Sequence, residues 1–375
     1  MRKIAGYGWL LIAMGILITS CEKSSDHPVH EKEQLSLSQA LDQAAYDIDQ
    51  VVEVITQTNA YSLFVREAGN KSTNPGDKPP GLNIYLKDIQ GVYEYSPEMD
   101  AKALLASHGD CQSFFQRTGD SDWFIIHMPF EMAQNPHDLF KHEPGDTYNN
   151  NLMVSTSEFF YETDKNLMWH DYHLVTRFDL EEEYAGELWV DERSNGLFNA
   201  YTSSRFGFTD EHFIHVETQL ADTVKVGYSL EDAEGVALYS EMVAFSLSLI
   251  NGNPNIQFQY EIQVGDVRII KSLDEEDELV YVVYIDGELR EDAIVEAIIY
   301  DGETPTSINC LFMNKNKDYQ IMLDDEPPIL LSQLMGDSQD ILSSLFISMR
   351  DLYLSKYVIN ILAWQIYAEE ACRNK

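Results

Sequence analysis

The hydrophobic pattern of the chain changes period along its length. Leu37, Leu41, Ala44, Ile48, Val51 and Ile55 recur at alternating intervals of four and three, which lines one face of a helix. Ser36 with Gln39 three residues on has the form of a capping box, so a helix is expected over 37–64. Gly69 to Gly81 is crowded with Gly, Pro, Asn and Lys and reads as a loop. The period then falls to two. Leu82, Ile84 and Leu86 alternate with Asn83, Tyr85 and Lys87, and Gly91 separates them from Val92-Tyr93-Glu94-Tyr95. That pattern predicts a hairpin or two short strands. Asp122–Met128 predicts another strand.

From Leu152 onward strand-like segments follow one another: Leu152–Tyr161, His173–Phe178, Gly186–Asp191, Leu197–Arg205, His212–Leu220, Thr223–Leu230, Val236–Leu249, Ile256–Gln263 and Asp266–Ser272. Turn formers such as Ser194-Asn195-Gly196 and Asn251-Gly252-Asn253-Pro254 divide them. Regular strands joined by tight turns imply an antiparallel meander. Val280–Ile285 runs into Asp286-Gly287, a strong hairpin signal, with Ala293–Tyr300 as the expected partner. Ile308–Met313 and Tyr319–Leu323 suggest one more pair. After Pro327-Pro328 the helical period returns, first over Ile329–Met335 and then from Asp337 or Ser338 to about Cys372. Arg350, Asp351 and Lys356 interrupt the second stretch, which favours a buried helix over a membrane span.

The expected architecture is α+β: a large curved antiparallel β-sheet, laid out as a meander, with an N-terminal helix and C-terminal helices packed on it. One domain is expected over 35–375, with its strands at 82–323 and its C-terminal helices at 329–372. No alternation of strand and helix points to a doubly wound or barrel fold.

The chain opens with a different pattern. Arg2 and Lys3 precede an apolar run from Tyr7 to Ile18, and Ile18-Thr19-Ser20-Cys21 follows. The run is short of the roughly 20 residues a span needs and fits a signal-peptide core. Ile18, Thr19, Ser20 and Cys21 resemble the lipobox of bacterial lipoproteins. The resemblance implies a signal peptide over 1–20, a diacylglyceryl thioether on Cys21, cleavage before it and acylation of the new N-terminus. Residues 21–34 are polar and read as a tether. Glu22 follows the cysteine where aspartate would mark inner-membrane retention, so the resemblance leans towards the outer membrane and leaves its face open. Leu86–Tyr95 and Asn149–Ser155 also resemble segments of uncharacterised Bacteroidota envelope lipoproteins, which carry no assigned activity.

The formal charge is -38, and loss of Arg2 and Lys3 with the leader makes it -40. Such a chain repels phosphate backbones, which excludes nucleic acid as a partner. With 21 Tyr, 17 Phe and 5 Trp it builds a sizeable core rather than a disordered tail. After Cys21 only Cys111, Cys310 and Cys372 remain, and their spacing suggests no disulfide framework.

Candidate chemistry is sparse. His170 and His173 lie three apart, which places them on opposite faces of a strand. In His212-Phe213-Ile214-His215-Val216-Glu217, His215 and Glu217 share a face and His212 takes the other. Imidazole and carboxylate suit zinc, but neither stretch has the helical spacing of four that puts two imidazoles together. Exposed strand histidines are therefore the expectation. Asp274–Glu278 lacks the rhythm of a calcium loop and reads as a solvated turn. The nucleophile motifs Gly-x-Ser-x-Gly and Ser-x-x-Lys are absent from any usable context. No catalytic residue, metal site or cofactor is assigned. The favoured function is a non-enzymatic binding or scaffolding module of the envelope, held to the membrane through Cys21, whose partner is a hydrophobic ligand, a glycan or another envelope protein. The alternatives are a lipid-anchored hydrolase using His127, His170, His173, His212, His215 or Glu217, and a lipid or lipoprotein acceptor.

Overall fold

The computed structural model describes residues 36–64, 81–96, 115–131, 148–166, 168–196, 199–250, 253–273, 278–299, 317–322 and 327–330, several helical residues within 338–348, and 353–373. The leader, Cys21, the tether, Cys111, Cys310 and the strand expected at Ile308–Met313 lie outside the described residues, as does the side chain of Cys372. Residues 36–375 form one compact unit.

Helix α1 (Leu37–Thr56) starts where the capping box places it. The Gln39 N–H donates to Ser36 Oγ at 3.2 Å, and the Ser36 N–H donates to Gln39 Oε1 at 3.1 Å. The stripe Leu37, Leu41, Ala44, Ile48, Val52 and Ile55 is buried, each large side chain contributing about 1.5–3 kcal/mol. The expected single helix to residue 64 is two helices, because α2 is Asn59–Phe64. Thr58 makes the break. Its hydroxyl donates to the Ile55 carbonyl at 2.7 Å and accepts the Tyr61 N–H at 3.1 Å. A hydroxyl that bonds the local backbone competes with helix continuation.

Of the two arrangements expected over 82–95, the chain takes two short strands rather than a hairpin. β1 (Asn83–Tyr85) and β2 (Gly91–Tyr95) are separated by one helical turn, α3 (Leu86–Ile89). Asp88 Oδ2 accepts the Tyr85 N–H at 2.9 Å and closes that turn. β1 then pairs with β5, while β2 lies between β3 (Phe115–Gly119) and β4 (Phe124–Met128). The β2–β4 pairing is parallel, so the sheet is mixed at this end.

The meander itself forms as expected. β5 (Leu152–Thr163), β6 (Trp169–Leu180), β7 (Glu183–Asn195), β8 (Ala200–Gly207), β9 (Phe213–Leu220) and β10 (Thr223–Glu231) each pair antiparallel with the next. The series continues through β11 (Ala237–Ile250), β12 (Asn253–Val264), β13 (Val267–Leu273), β14 (Leu279–Ile285) and β15 (Glu288–Leu289). The Asp286-Gly287 turn closes onto β15 and not onto Ala293–Tyr300. Asp286 and Gly287 both have positive φ, 52° and 78°, the backbone a tight two-residue hairpin needs. β16 (Ile294–Ile299) leaves for a second sheet, where β17 (Lys317–Met322) lies between it and β18 (Ile329–Leu330). Ile329 thus begins a short strand where the sequence suggested a helix.

Register aligns the side chains in rows across the sheet. Thr176, Leu188, Phe206, Ile214, Leu230 and Tyr239 stand side by side, and all are buried. The neighbouring row holds Leu174, Val190, Val216, Tyr228 and Glu241. Glu241 is buried, and its carboxylate accepts the hydroxyls of Tyr239 and Tyr260 at 2.5 and 3.1 Å.

Helices cover this face. α1 packs on β11–β13. At the β12–β13 turn, Gly265 has φ +57°, and a Cβ there would stand 2.5 Å from Ala44 Cβ, so glycine lets the helix approach. Phe346 lies against Tyr228, with ring centroids 3.9 Å apart, and beside Tyr239 at 6.3 Å. Ser338 donates to Asp49 of α1. Helix α4 (Tyr353–Arg373) extends the cover with Lys356 against Glu192, Asn360 against Tyr172 and Trp364 against Tyr161. No described helix is long and apolar enough to cross a membrane.

Candidate functional site

Because one face of the meander is filled by helices, the chemistry accessible to solvent lies on the other. His170 and His173 do take opposite faces. His170 belongs to the covered one, where it is buried, with Nε2 3.3 Å from Glu192 Oε2 and its ring stacked on Tyr172. Lys356 Nζ donates to the other oxygen of Glu192 and sits 4.3 Å from the Tyr172 ring centroid. The Tyr172 hydroxyl donates to Asn360 Oδ1 at 3.1 Å. Burial, reinforced by the Glu192 charge, pushes that hydroxyl well above the ordinary tyrosine pKa. These groups tie α4 to the sheet, and of them only His170 reaches the lining of the cleft described below.

His173 stands on the open face between two carboxylates. Its Nδ1 is 2.8 Å from Asp191 Oδ1 and its Nε2 is 3.0 Å from Glu158 Oε2. Each ring nitrogen faces a carboxylate, so the ring links β5, β6 and β7. His212 sits in the β8–β9 turn, with Nδ1 3.2 Å from Thr209 Oγ1. Glu217 shares the open face with His215, as their spacing requires, and lies 3.8 Å from Lys225 Nζ. Among the described residues no three His, Cys, Asp or Glu side chains converge on a metal position.

The constellation that forms around His215 was not read from the sequence. Its Nε2 is 2.9 Å from Ser203 Oγ, and its Nδ1 is 3.2 Å from Glu231 Oε1. The three residues come from adjacent strands, β8, β9 and β10. Arg205, His215 and Ser229 are direct cross-strand partners, and Ser203 and Glu231 stand one pleat away on the same face. Ser229 Oγ also donates to Glu231 at 2.5 Å, and Arg205 Nε lies 3.7 Å from the second carboxylate oxygen. The Arg205 guanidinium rests 3.8 Å from the Phe213 ring centroid. Burial alone works to raise the Glu231 pKa, but the bonds from His215 and Ser229 and the charge of Arg205 outweigh it and hold the value below the ordinary glutamate range. Glu231 is therefore a carboxylate at neutral pH. It accepts from His215 Nδ1–H, and in the neutral imidazole Nε2 is then the acceptor for the Ser203 hydroxyl.

A cleft of about 720 Å³ lies at the end of β6, β7 and β8. Trp169, Asp171, Asp191, Arg193, Asn195 and Tyr201 are among its lining residues. Asp171, Arg193 and Tyr201 are successive cross-strand partners, and Trp169 pairs with Asn195. Asp171 Oδ1 is 3.6 Å from Arg193 Nε. Trp169 is 39% exposed, a large aromatic left half open to solvent. Asp191 belongs both to the cleft and to the His173 link, so the two features are continuous.

Comparison of the chain with protein-family models, with curated proteins and with solved structures finds no match.

Proposed function

We propose that this chain is a lipid-anchored protein of the cell envelope, held on the outer membrane through Cys21, that binds a glycan in the cleft at the end of β6–β8. The observation that carries the reading is the lining of that cleft. A half-exposed indole and a tyrosine ring supply apolar faces for the C–H faces of sugar rings. Asp171, Asp191, Arg193 and Asn195 supply fixed donors and acceptors for hydroxyls around them. The opposite face is occupied by helices, which leaves this one for a partner. The leader and the cysteine that resembles a lipobox support the location.

Anchoring is tested by partition into a detergent phase: the wild-type chain is expected there, and Cys21→Ser in the aqueous phase. Equal partition of the two would remove the anchor. Binding is tested by calorimetric titration with neutral cello-, xylo-, malto- and chito-oligosaccharides. At least one series is expected to bind, and Trp169→Ala to weaken it tenfold or more, about 1.4 kcal/mol. Failure of all four series to bind would end the glycan reading.

A further inference from the structure

We propose that Ser203 is an activated nucleophile, with His215 as its general base and Glu231 as the group that orients the imidazole, and that it accepts acyl groups from neutral or cationic carboxylic esters. This inference does not depend on the cleft or on glycan binding. It rests on three side chains from three strands in a fixed chain of hydrogen bonds.

Glu231 is held ionised by His215, Ser229 and Arg205. An ionised carboxylate only accepts, so the proton between it and His215 belongs to Nδ1. In the neutral imidazole Nε2 then carries the lone pair, 2.9 Å from Ser203 Oγ. The serine hydroxyl donates along that contact, and its proton has a defined acceptor when Oγ attacks. Nucleophile, base and orienting carboxylate within hydrogen-bond reach of one another are the recognisable geometry of an activated serine, whatever the fold. The His215 side chain is 27% exposed and that of Glu231 13%, so the base reaches solvent while the carboxylate behind it is sheltered. Each group is held by its strand: the Ser203, His215 and Glu231 backbones all lie within paired ladders.

The chemistry balances without an added reagent. Ser203 Oγ forms a bond to the ester carbonyl carbon, and its proton passes to His215 Nε2. The tetrahedral adduct collapses, the bond to the alcohol oxygen breaks, and His215 returns the proton to that oxygen. Water then attacks the acyl-serine, giving its proton to His215, and the acid leaves as Ser203 recovers the hydrogen. Charge selects the substrate. Asp191 and Glu217 are the direct cross-strand partners of Ser203 on either side. Those two carboxylates repel an anionic ester, whereas a neutral or cationic one meets no such repulsion from them.

The test uses the full folded chain and a neutral alkyl fluorophosphonate. Ser203 Oγ forms a bond to phosphorus, fluoride leaves, and the proton goes through His215 to solvent. Peptide mapping is expected to find the adduct on Ser203, unchanged in Ser204→Ala, whose side chain points to the covered face. His215→Gln is expected to slow labelling by 10²-fold or more, in the range of general-base contributions. p-Nitrophenyl acetate is expected to be cleaved at least tenfold faster than p-nitrophenyl hemisuccinate. Ser203→Cys guards against a variant that fails to fold: its thiol is expected to react with iodoacetamide at least tenfold faster than in Ser203→Cys/His215→Gln. No adduct at Ser203, or labelling and alkylation rates indifferent to His215, would overturn the activated serine. A preference for the hemisuccinate would overturn the charge selection.

Discussion

Replacing Glu192 by alanine is expected to destabilise the protein by about 3–5 kcal/mol. The carboxylate sits between the Lys356 ammonium and the His170 ring, and both Glu192 and Lys356 side chains are only 9% exposed. Taking away one member of a buried pair leaves the other charge desolvated, with the face of the Tyr172 ring as a weaker neighbour. A loss of that size is a large part of the 5–15 kcal/mol that holds a typical domain together. Urea unfolding followed by fluorescence reads it directly. The double variant Glu192→Leu/Lys356→Met is expected to recover most of the loss, because two apolar side chains replace both buried charges together. A single-variant loss below about 1 kcal/mol would mean that the lysine finds water, and that α4 is not sealed onto β6 and β7.

Phe346→Ala is expected to cost about 3–5 kcal/mol, the range for deleting a buried aromatic ring. The ring is buried between Tyr228 and Tyr239, and its removal leaves a cavity flanked by two tyrosines held by strand pairing. Near-ultraviolet circular dichroism is expected to fall with it, since those tyrosines lose a fixed neighbour. If the unfolding midpoint and the aromatic signal both stay at wild-type values, Phe346 does not cover the sheet as described.

The meander was legible because each of its hairpins is a local event. Between Leu152 and Ile285 an alternating segment meets a turn signal and then its own partner, so spacing and turn chemistry suffice. The elements that were misread depend on distant partners. Ile84 does lie on one of two short strands, but its partner is the distant Tyr161, and Asp88 closes a helical turn before the second strand. Val280–Ile285 was matched to Ala293–Tyr300 by proximity, whereas a two-residue strand takes its edge and the later segment joins Lys317–Met322. The break at Thr58 turns on one hydroxyl that the apolar stripe passes over.

The site was legible only in part. A period of two put His215 with Glu217 and parted His170 from His173. It did not bring Ser203 and Glu231 to His215, because that needs the register of two hairpins counted together, and one residue of slip turns every side chain over. The fully paired strands β8, β9 and β10 carried the missing signal: polar residues at alternate positions, Ser203 and Arg205, His215 and Glu217, Ser229 and Glu231.

Helix α4 lies against strands made much earlier in the chain. Lys356 meets Glu192 across 164 residues of sequence, and Asn360 meets Tyr172 across 188. Until those residues arrive, Tyr161 and Tyr172 lack the Trp364, Lys356 and Asn360 side chains that pack on them. Such late closure slows folding and prolongs the exposure of apolar surface. A chain made from its N-terminus onward would carry a sheet without its last helix for the final stage of its synthesis. Chaperones that recognise exposed aromatic surface would find this protein chiefly in that interval, and shortening the chain before residue 356 would make the interval permanent.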